Sequence, residues 1–209
     1  MIPITDPRIE EYLFDLAPES DPHLLEMEAK ARAMEFPIVD RLVGRLLYLL
    51  TRIKQPKLIV EMGSGFGYSA YWFARAISII GKVVLIDNSA DNIAYARRLF
   101  EETGFSARAE FRTGNAIDIG PEYDNIDMLF IDIDKYQYMD AIQAMLPRLS
   151  PTSLVIADNA LWYGRVVEPD GDKDSEGIKQ FNRFMFDRAD FFSTLIPLRD
   201  GVLLSYRLN

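Results

Sequence analysis

Residues 57–69 have the sequence KLIVEMGSGFGYS, an apolar run that leads into a loop with three glycines. The apolar residues predict a buried strand, and the glycines predict a tight turn before a helix. A strand, a turn and a helix in this order bring backbone N–H groups to the carboxyl edge of an open α/β sheet, where ligands bind. The segment therefore predicts a ligand site in an α/β fold.

The chain beyond this segment alternates between β-rich runs and helical segments. The β-rich runs are KVVLID, ARAEFRT, NIDMLFID and SLVIAD. Such alternation is typical of a parallel sheet with helices on both faces. Near the end of the chain, two apolar runs flank Asp200-Gly201, which indicates an antiparallel hairpin. We therefore predict an α/β fold whose mixed sheet has about seven strands, mostly parallel and closed by that hairpin.

The residues before the glycine loop predict helices. Apolar residues recur there at every fourth position, at Ile38, Leu42, Leu46 and Leu50. We expect one domain over residues 1–209, with residues 1–52 forming an N-terminal helical cap. Further along, Pro147 falls inside a helical pattern and should end or kink that helix. The segment 168–177, EPDGDKDSEG, predicts a polar loop before a helix at 178–186.

Composition limits the class of protein. The chain has no cysteine, one histidine and a formal net charge of -9. The lack of cysteine excludes disulfides and thiolate metal sites, and with no signal-type N-terminal run we expect a cytoplasmic protein. No apolar run approaches the ~20 residues of a membrane span. The acidic balance disfavours nucleic acid, although a local basic patch remains compatible with it. His23 lies in a polar segment and is expected at the surface, which disfavours histidine-dependent nucleophilic catalysis.

The glycine loop differs from a dinucleotide-binding fingerprint. In that fingerprint two residues separate the second and third glycines, whereas here Gly67 comes one position early. Glu61 precedes the loop, and its carboxylate would repel a pyrophosphate but attract the ammonium group of S-adenosylmethionine. Asp87, at the end of the second strand, suits the ribose hydroxyls of either cofactor. The loop therefore favours S-adenosylmethionine over NAD.

Oxygen-bearing side chains follow two later strands. Asp132 ends the fourth β-rich run, and Asp158 and Asn159 end the fifth. If these strands are neighbours in a parallel sheet, the three side chains converge at the edge that carries the glycine loop. Two carboxylates and an amide oxygen suit Mg²⁺, Mn²⁺ or Ca²⁺, whereas zinc is disfavoured without His or Cys ligands. The alternative is that the carboxylates merely cap strand or helix ends.

These segments resemble the cation-dependent O-methyltransferases, the family of catechol and caffeoyl-CoA O-methyltransferases, and most of all its small bacterial members. The likeness spans nearly the whole chain, in DPRIEEYL, LIVEMGSGFGYSA, VVLID, Gly114-Asn115-Ala116, FIDIDK, ADNALWYG and LIPLRDGVLLSYR. It implies a Rossmann-like class I methyltransferase fold. It also implies S-adenosylmethionine as methyl donor, a hydroxyl of a small, catechol-like molecule as acceptor, and a homodimer.

The resemblance also implies roles for individual residues. The cofactor site would comprise Glu61, Gly63, Ser64, Gly65, Gly67, Ser69, Asp87, Asn88, Gly114, Asn115, Ala116 and Asp132. The cation, with Mg²⁺ favoured, would be held by Asp132, Asp158 and Asn159. Lys135 would be the general base, because a partly buried lysine beside a dication is pushed towards its neutral form.

Departures from the family pattern leave the acceptor open. Phe66 stands where the family often has a small residue, and the segment before the first strand leaves contacts through Met34 and Phe36 undecided. Trp162 and Tyr163 are either walls of the acceptor pocket or core aromatics. A hydroxylated uridine in transfer RNA is an alternative acceptor. A nicotinamide-dependent oxidoreductase and a non-catalytic binding protein are alternatives of other classes.

Overall fold

The structure is a computed structural model that describes residues 4–169 and 171–208. The strands are β1 (Leu58–Met62), β2 (Lys82–Asp87), β3 (Ala109–Thr113), β4 (Ile126–Ile131), β5 (Leu149–Ala157), β6 (Phe191–Ile196) and β7 (Val202–Arg207). The α-helices are α1 (Pro7–Leu16), α2 (Pro22–Met34), α3 (Arg41–Lys54), α4 (Tyr68–Ala76), α5 (Ala90–Glu102), α6 (Ala116–Ile119), α7 (Tyr138–Met145) and α8 (Lys173–Asp187). Short 3₁₀ turns include Lys135–Gln137 and Trp162–Val167.

The seven strands form one sheet in the order β3-β2-β1-β4-β5-β7-β6. The strands β1 to β5 pair in parallel, while β7 is antiparallel to both β5 and β6. The prediction of a mixed sheet closed by a C-terminal hairpin is therefore confirmed. Because the first five strands are parallel, the loops that leave their carboxyl ends share one edge of the sheet.

The hydrophobic core has two layers, one on each face of the sheet. One layer is built on α2 to α5 and includes Leu47 and Phe73, and the other is built on α7 and α8 and includes Ile142 and Phe181. Strands covered on both faces are mostly apolar along their length, which explains why β1 begins as the continuous apolar run Leu58-Ile59-Val60 rather than an alternating one. The helices on both faces are as predicted.

Two local predictions have different outcomes. The helix expected to end or kink at Pro147 is α7, which ends at Met145, two residues before that proline, as expected. The loop predicted over 168–177 is wrong in its second half, because α8 already begins at Lys173. The Asp172 carboxylate accepts a hydrogen bond from the N–H of Ser175 and so caps a helix whose acidic first turn suits the helix dipole.

We keep one domain with a helical cap over residues 1–52 as a proposal. In its support, Leu24 of α2 and Leu47 of α3 are fully buried against the sheet. The cap helices run on to Lys54, and residues 1–3 lie outside the described part of the chain. Within the described residues, no helix has both the length and the apolar character needed to cross a bilayer.

We expect Phe130→Ala to lower the free energy of unfolding by about 3–5 kcal/mol, because it leaves a cavity in the core. Phe130 lies on the central strand β4, is fully buried, and packs edge to face on Phe73 with ring centroids 5.6 Å apart. Phe192→Ala is the control, since Phe192 on the edge strand is 70% exposed, and its effect should stay within about 0.5 kcal/mol. Urea unfolding measures both values, and equal losses would contradict this description of the core.

Candidate active site

The glycine loop is attached to both neighbouring strands. The N–H groups of Gly63 and Ser64 both donate to the carbonyl of Ile86 in β2, at 2.9 and 3.0 Å. Gly63 has a φ of 87°, and a Cβ at this position would lie 2.1 Å from the carbonyl oxygen of Asp132. Only glycine allows this approach, so the loop lies directly against the end of β4.

Asp87, at the end of β2, binds the glycine loop through its carboxylate. One of its carboxylate oxygens accepts the N–H of Gly65 at 2.9 Å. The other accepts the N–H of Ser89 at 2.9 Å and the amide of Asn92 at 3.1 Å. The carboxylate is thereby held at the cavity wall, where it supports the turn of the glycine loop.

Glu61 is fully buried behind the loop. One oxygen of its carboxylate accepts the hydroxyl of Ser69, and the other has no hydrogen-bond partner among the described residues. Burial, together with the nearby charges of Asp132 and Asp87, raises the pKa of Glu61 to about 8. A buried carboxylate with a free oxygen suits a positively charged ligand group, because such a group would remove the cost of ionising it.

The carboxyl ends of β4 and β5 bring two acidic residues together. Ile131 pairs with Ala157, so the residues that follow them, Asp132 and Asp158, are neighbours. Asp158 is 5% exposed, and its N–H donates to the carbonyl of Ile131 at 3.2 Å. Burial, and then the negative charge of Asp132, raises the pKa of the Asp158 carboxyl above its ordinary value. Two carboxylates that repel one another at a cavity wall fit a shared cation.

The third oxygen donor at this edge is an amide. Within the described residues, no three His, Cys, Asp or Glu side chains are grouped so that they could hold a metal ion. Next to Asp132 and Asp158, Asn159 carries the further oxygen donor. The amide nitrogen of Asn159 donates to the carboxylate of Asp200 at 3.3 Å, which leaves the amide oxygen for another partner.

Lys135 lies in a 3₁₀ turn three residues after Asp132 and is 8% exposed. Its amine donates to the Asp132 carboxylate at 2.7 Å and lies within 6 Å of the rings of Tyr138 and Trp162, at 5.2 and 5.8 Å. Burial opposes the charge, but Tyr138 and the Asp132 carboxylate outweigh it and hold the pKa of Lys135 above its ordinary value. The contact with Asp132 thus favours the charged form of the lysine, and the neutral form expected beside a dication stays a prediction.

These residues surround a cavity of about 440 Å³. The predicted site residues that line it are Gly63, Ser64, Gly65, Ser69, Asp87, Asn88, Gly114, Asn115, Ala116, Asp132, Lys135, Asp158 and Asn159. Two predicted residues do not line it. Glu61 lies behind Ser69, and Gly67 packs against Ala96 of α5, where a Cβ would come within 2.9 Å.

Several lining residues were not predicted. They are residues 37–39, Tyr68, Ile86, Ile133, Asp134, Gln137 and Asp174, together with the previously undecided Phe36, Trp162 and Tyr163. Of the two N-terminal candidates, Phe36 contributes to the wall, whereas Met34 is 57% exposed and does not. Phe66, which departs from the family pattern, was the sequence signal that could have pointed to Phe36. Its ring packs on that of Phe36, with centroids 5.1 Å apart.

A second depression of about 630 Å³ adjoins the cavity, and we call it the acceptor groove because we propose that it takes the methyl acceptor. It shares residues 36–39 and the tip of β5 with the cavity. Its three arginines all have carboxylate partners. Arg32 and Arg41 pair with Glu28, and Arg199 pairs with Glu10 and Asp40.

Comparisons with known proteins agree with this geometry. Residues 21–208 match the family model described as O-methyltransferase. The chain is 30% identical over 198 residues to a catechol O-methyltransferase of Niastella koreensis, covering 91% of this chain and 90% of that protein. A methyltransferase structure from Geobacter sulfurreducens is 44% identical, with a TM-score of 0.88 and full coverage of both chains.

A relative solved with its cofactor gives the methyl donor. The O-methyltransferase TomG of Streptomyces achromogenes, involved in tomaymycin synthesis and solved with SAM, is 28% identical. It has a TM-score of 0.87, with coverage of 97% of this chain and 96% of that one. These findings argue against the oxidoreductase and the non-catalytic alternatives. The chain belongs to the O-methyltransferase family, of the catechol and caffeoyl-CoA type, and is an S-adenosylmethionine-dependent enzyme.

Proposed function

We propose that this O-methyltransferase methylates a hydroxyl group of a small molecule and that it requires a divalent cation, with Mg²⁺ favoured over Mn²⁺ and Ca²⁺. The observation that carries the proposal is the pairing of β4 with β5, which sets the carboxylates of Asp132 and Asp158 side by side next to the glycine loop. In the reaction, the methyl group moves from the sulfonium sulfur to the acceptor oxygen, and the hydroxyl proton leaves.

On the cofactor side, the buried carboxylates suit the amino end of S-adenosylmethionine. Glu61 and Asp132 would attract its ammonium group, and Asp87 would accept hydrogen bonds from its ribose. The adenine would lie along Gly114, Asn115 and Ala116, with Asn88 beside the ribose. The unpartnered oxygen of Glu61 supports this assignment, because a buried polar atom without a partner is costly unless a ligand satisfies it.

On the acceptor side, Asp132, Asp158 and Asn159 would hold the cation. When bound, it would stabilise the negative charge of the ionised hydroxyl and lower the pKa of that group. The donors are all oxygens, which fits a hard cation such as Mg²⁺. The mutual repulsion of the two carboxylates supports the proposal, because it is relieved only by positive charge or by protonation.

Lys135 is the proposed proton acceptor. Its amine keeps its proton because of the negative charge of Asp132. A cation bound by Asp132 would offset the charge of this carboxylate and so weaken its attraction for the Lys135 ammonium. Burial of Lys135 would then favour the neutral amine. The rings of Tyr138 and Trp162 restrict the amine to this wall of the cavity.

The charges of the acceptor groove favour a small molecule over transfer RNA. The cationic side chains that line the cavity and the groove are Lys135, Arg32, Arg41 and Arg199, and each has a carboxylate partner. A phosphate backbone would have to displace those carboxylates. Salt-sensitive binding of total RNA with methyl incorporation into it, and none into catechols, would overturn this choice of acceptor.

Two broader assignments remain proposals. A homodimer is supported by the apolar side chains of Ile9, Tyr12 and Leu16, which α1 leaves 53–60% exposed. A cytoplasmic location is supported by the absence of cysteine.

Asp158→Ala should lower cation-stimulated methyl transfer to a catechol by at least about 100-fold, because it removes a proposed cation ligand. The dissociation constant for S-adenosylmethionine, measured by calorimetry without added metal, should change by less than about threefold, since the glycine loop is untouched. Asp124→Ala, in an exposed loop, is the control for the loss of one carboxylate. Unchanged cation stimulation in Asp158→Ala would refute the cation site.

Lys135→Arg should lower kcat about 10²–10⁴-fold, although it keeps a positive charge beside Asp132. The reason is that a guanidinium does not give up its proton in a protein. Lys135→Met should have a similar effect, and steady-state kinetics with saturating cofactor measures both. An arginine variant with wild-type kcat would show that Lys135 supplies charge and not proton transfer.

Glu61→Gln should raise the stability of the protein and at the same time weaken cofactor binding. Folding raises the pKa of Glu61 from 4.5 to about 8, so the wild type loses stability as the pH rises through that interval. The glutamine variant lacks this loss and should gain free energy of unfolding relative to wild type between pH 6 and pH 9. Its affinity for S-adenosylmethionine should nevertheless fall, because the carboxylate is gone.

Urea unfolding at pH 6 and at pH 9 measures the stability of the glutamine variant, and calorimetry measures its affinity for S-adenosylmethionine. The control is Glu101→Gln on the exposed surface of α5, whose effect on stability should not depend on pH. A Glu61→Gln variant with the same pH dependence as wild type would show that Glu61 is not the group responsible.

A further inference from the structure

The chain that leaves β5 has an uncommon backbone at the edge of the cavity. Asn159, Trp162 and Tyr163 have φ angles of 54°, 42° and 53°, in the left-handed region that favours glycine. Side-chain-bearing residues stay in this region only when the surrounding structure holds them there. One of the three is a proposed cation ligand, and the other two line the cavity.

The turn between β6 and β7 holds this segment through four hydrogen bonds. Two are made by backbone: Leu161 N–H donates to the carbonyl of Asp200 at 2.9 Å, and Ala160 N–H donates to that of Gly201 at 2.8 Å. The other two use the Asp200 carboxylate, which accepts the N–H of Tyr163 on one oxygen and the amide of Asn159 on the other. A single side chain thus holds two of the three strained residues.

The chemistry of this contact orients the Asn159 amide. An asparagine amide has a donor end and an acceptor end, and an ionised carboxylate can only accept. Asp200 therefore binds the nitrogen end, at 3.3 Å, and turns the oxygen end away from itself. Asn159 lines the same cavity as Asp132 and Asp158, where an amide oxygen is useful and an amide nitrogen would repel a cation.

We propose that Asp200 is a positioning residue, which presents the Asn159 oxygen to the cation and keeps the Trp162–Tyr163 segment at the wall of the cavity. This inference rests on the proposed cation-dependent function. Asp200 itself touches neither cofactor nor cation in this role and acts through Asn159. In this way the C-terminal hairpin, which is remote in sequence from the glycine loop, becomes part of the reaction site.

The variant that tests the inference is Asp200→Asn, because its amide offers one acceptor oxygen where the carboxylate offers two. Tyr163 N–H and the Asn159 amide bind different oxygens of the carboxylate, so in this geometry the asparagine keeps only one of the two contacts. Titration of the purified enzyme with Mn²⁺, followed by electron paramagnetic resonance, should show a dissociation constant about 10–100-fold higher than that of wild type. The dissociation constant for S-adenosylmethionine should change by less than about twofold, whereas a general loss of structure would weaken both. Asp124→Asn is the control for the loss of a carboxylate charge.

A double-mutant cycle separates positioning from charge. In an Asn159→Ala background, Asp200→Asn should have no further effect on Mn²⁺ affinity, because the residue through which it acts is gone. An equal loss of Mn²⁺ affinity in both backgrounds would show that Asp200 acts by charge alone and would overturn the inference. Unchanged Mn²⁺ affinity in the single variant would overturn it as well.

Two further outcomes are distinguishable. If Asp200→Asn does not fold, Asp200→Ser takes its place, because its hydroxyl can still accept the Tyr163 N–H while Asn159 loses its partner. The same rise in the dissociation constant is expected, and its absence counts against positioning. A wild-type enzyme that binds no Mn²⁺ refutes the cation-dependent function itself, and the role of Asp200 falls with it.

Discussion

The parallel pairing of β4 with β1 on one side and with β5 on the other is the constraint on which the site depends. The N–H of Asp132 donates to the end of β1 at 2.9 Å, and the N–H of Asp158 donates to the end of β4 at 3.2 Å. A slip of one residue in either pairing would turn these side chains to the opposite face of the sheet. The loop at Gly63 approaches the Asp132 carbonyl so closely that it requires this same register.

This arrangement crowds acidic groups whose ionised forms the protein alone does not fully stabilise. Glu61 and Asp158 are buried, and the pKa of each is raised, first by burial and then by the charge of Asp132. Lys135 is the one cationic side chain among the residues that line the cavity. Under the proposed function, the cationic cofactor and the metal ion supply the missing charge, so the unliganded site gives up stability for binding.

Under the proposed function, the acceptor side is built from both ends of the chain. Residues 36–39 separate the cofactor cavity from the acceptor groove, and the β6–β7 turn supports the opposite side through Asp200. Arg199 joins the two ends by pairing with Glu10 and Asp40. Loops and termini vary more readily than a buried sheet, so changes there can alter the acceptor while the cofactor site is kept.

Local pattern predicted the mixed sheet, its hairpin and the glycine loop, because period, turn residues and strand ends are properties of neighbouring residues. The family resemblance, and not the pattern, supplied Asn88, Gly114-Asn115-Ala116 and Lys135 among the cavity residues. It misplaced the start of α8, where Asp172 caps a helix inside a polar, glycine-containing segment. Tertiary structure alone decided two further features: the burial of Glu61 behind Ser69 and the contact between Asp200 and Asn159. Both depend on how strands and turns pack together, and the burial of Glu61 also removes water from around an ionisable group. Neither effect leaves a trace in the local sequence.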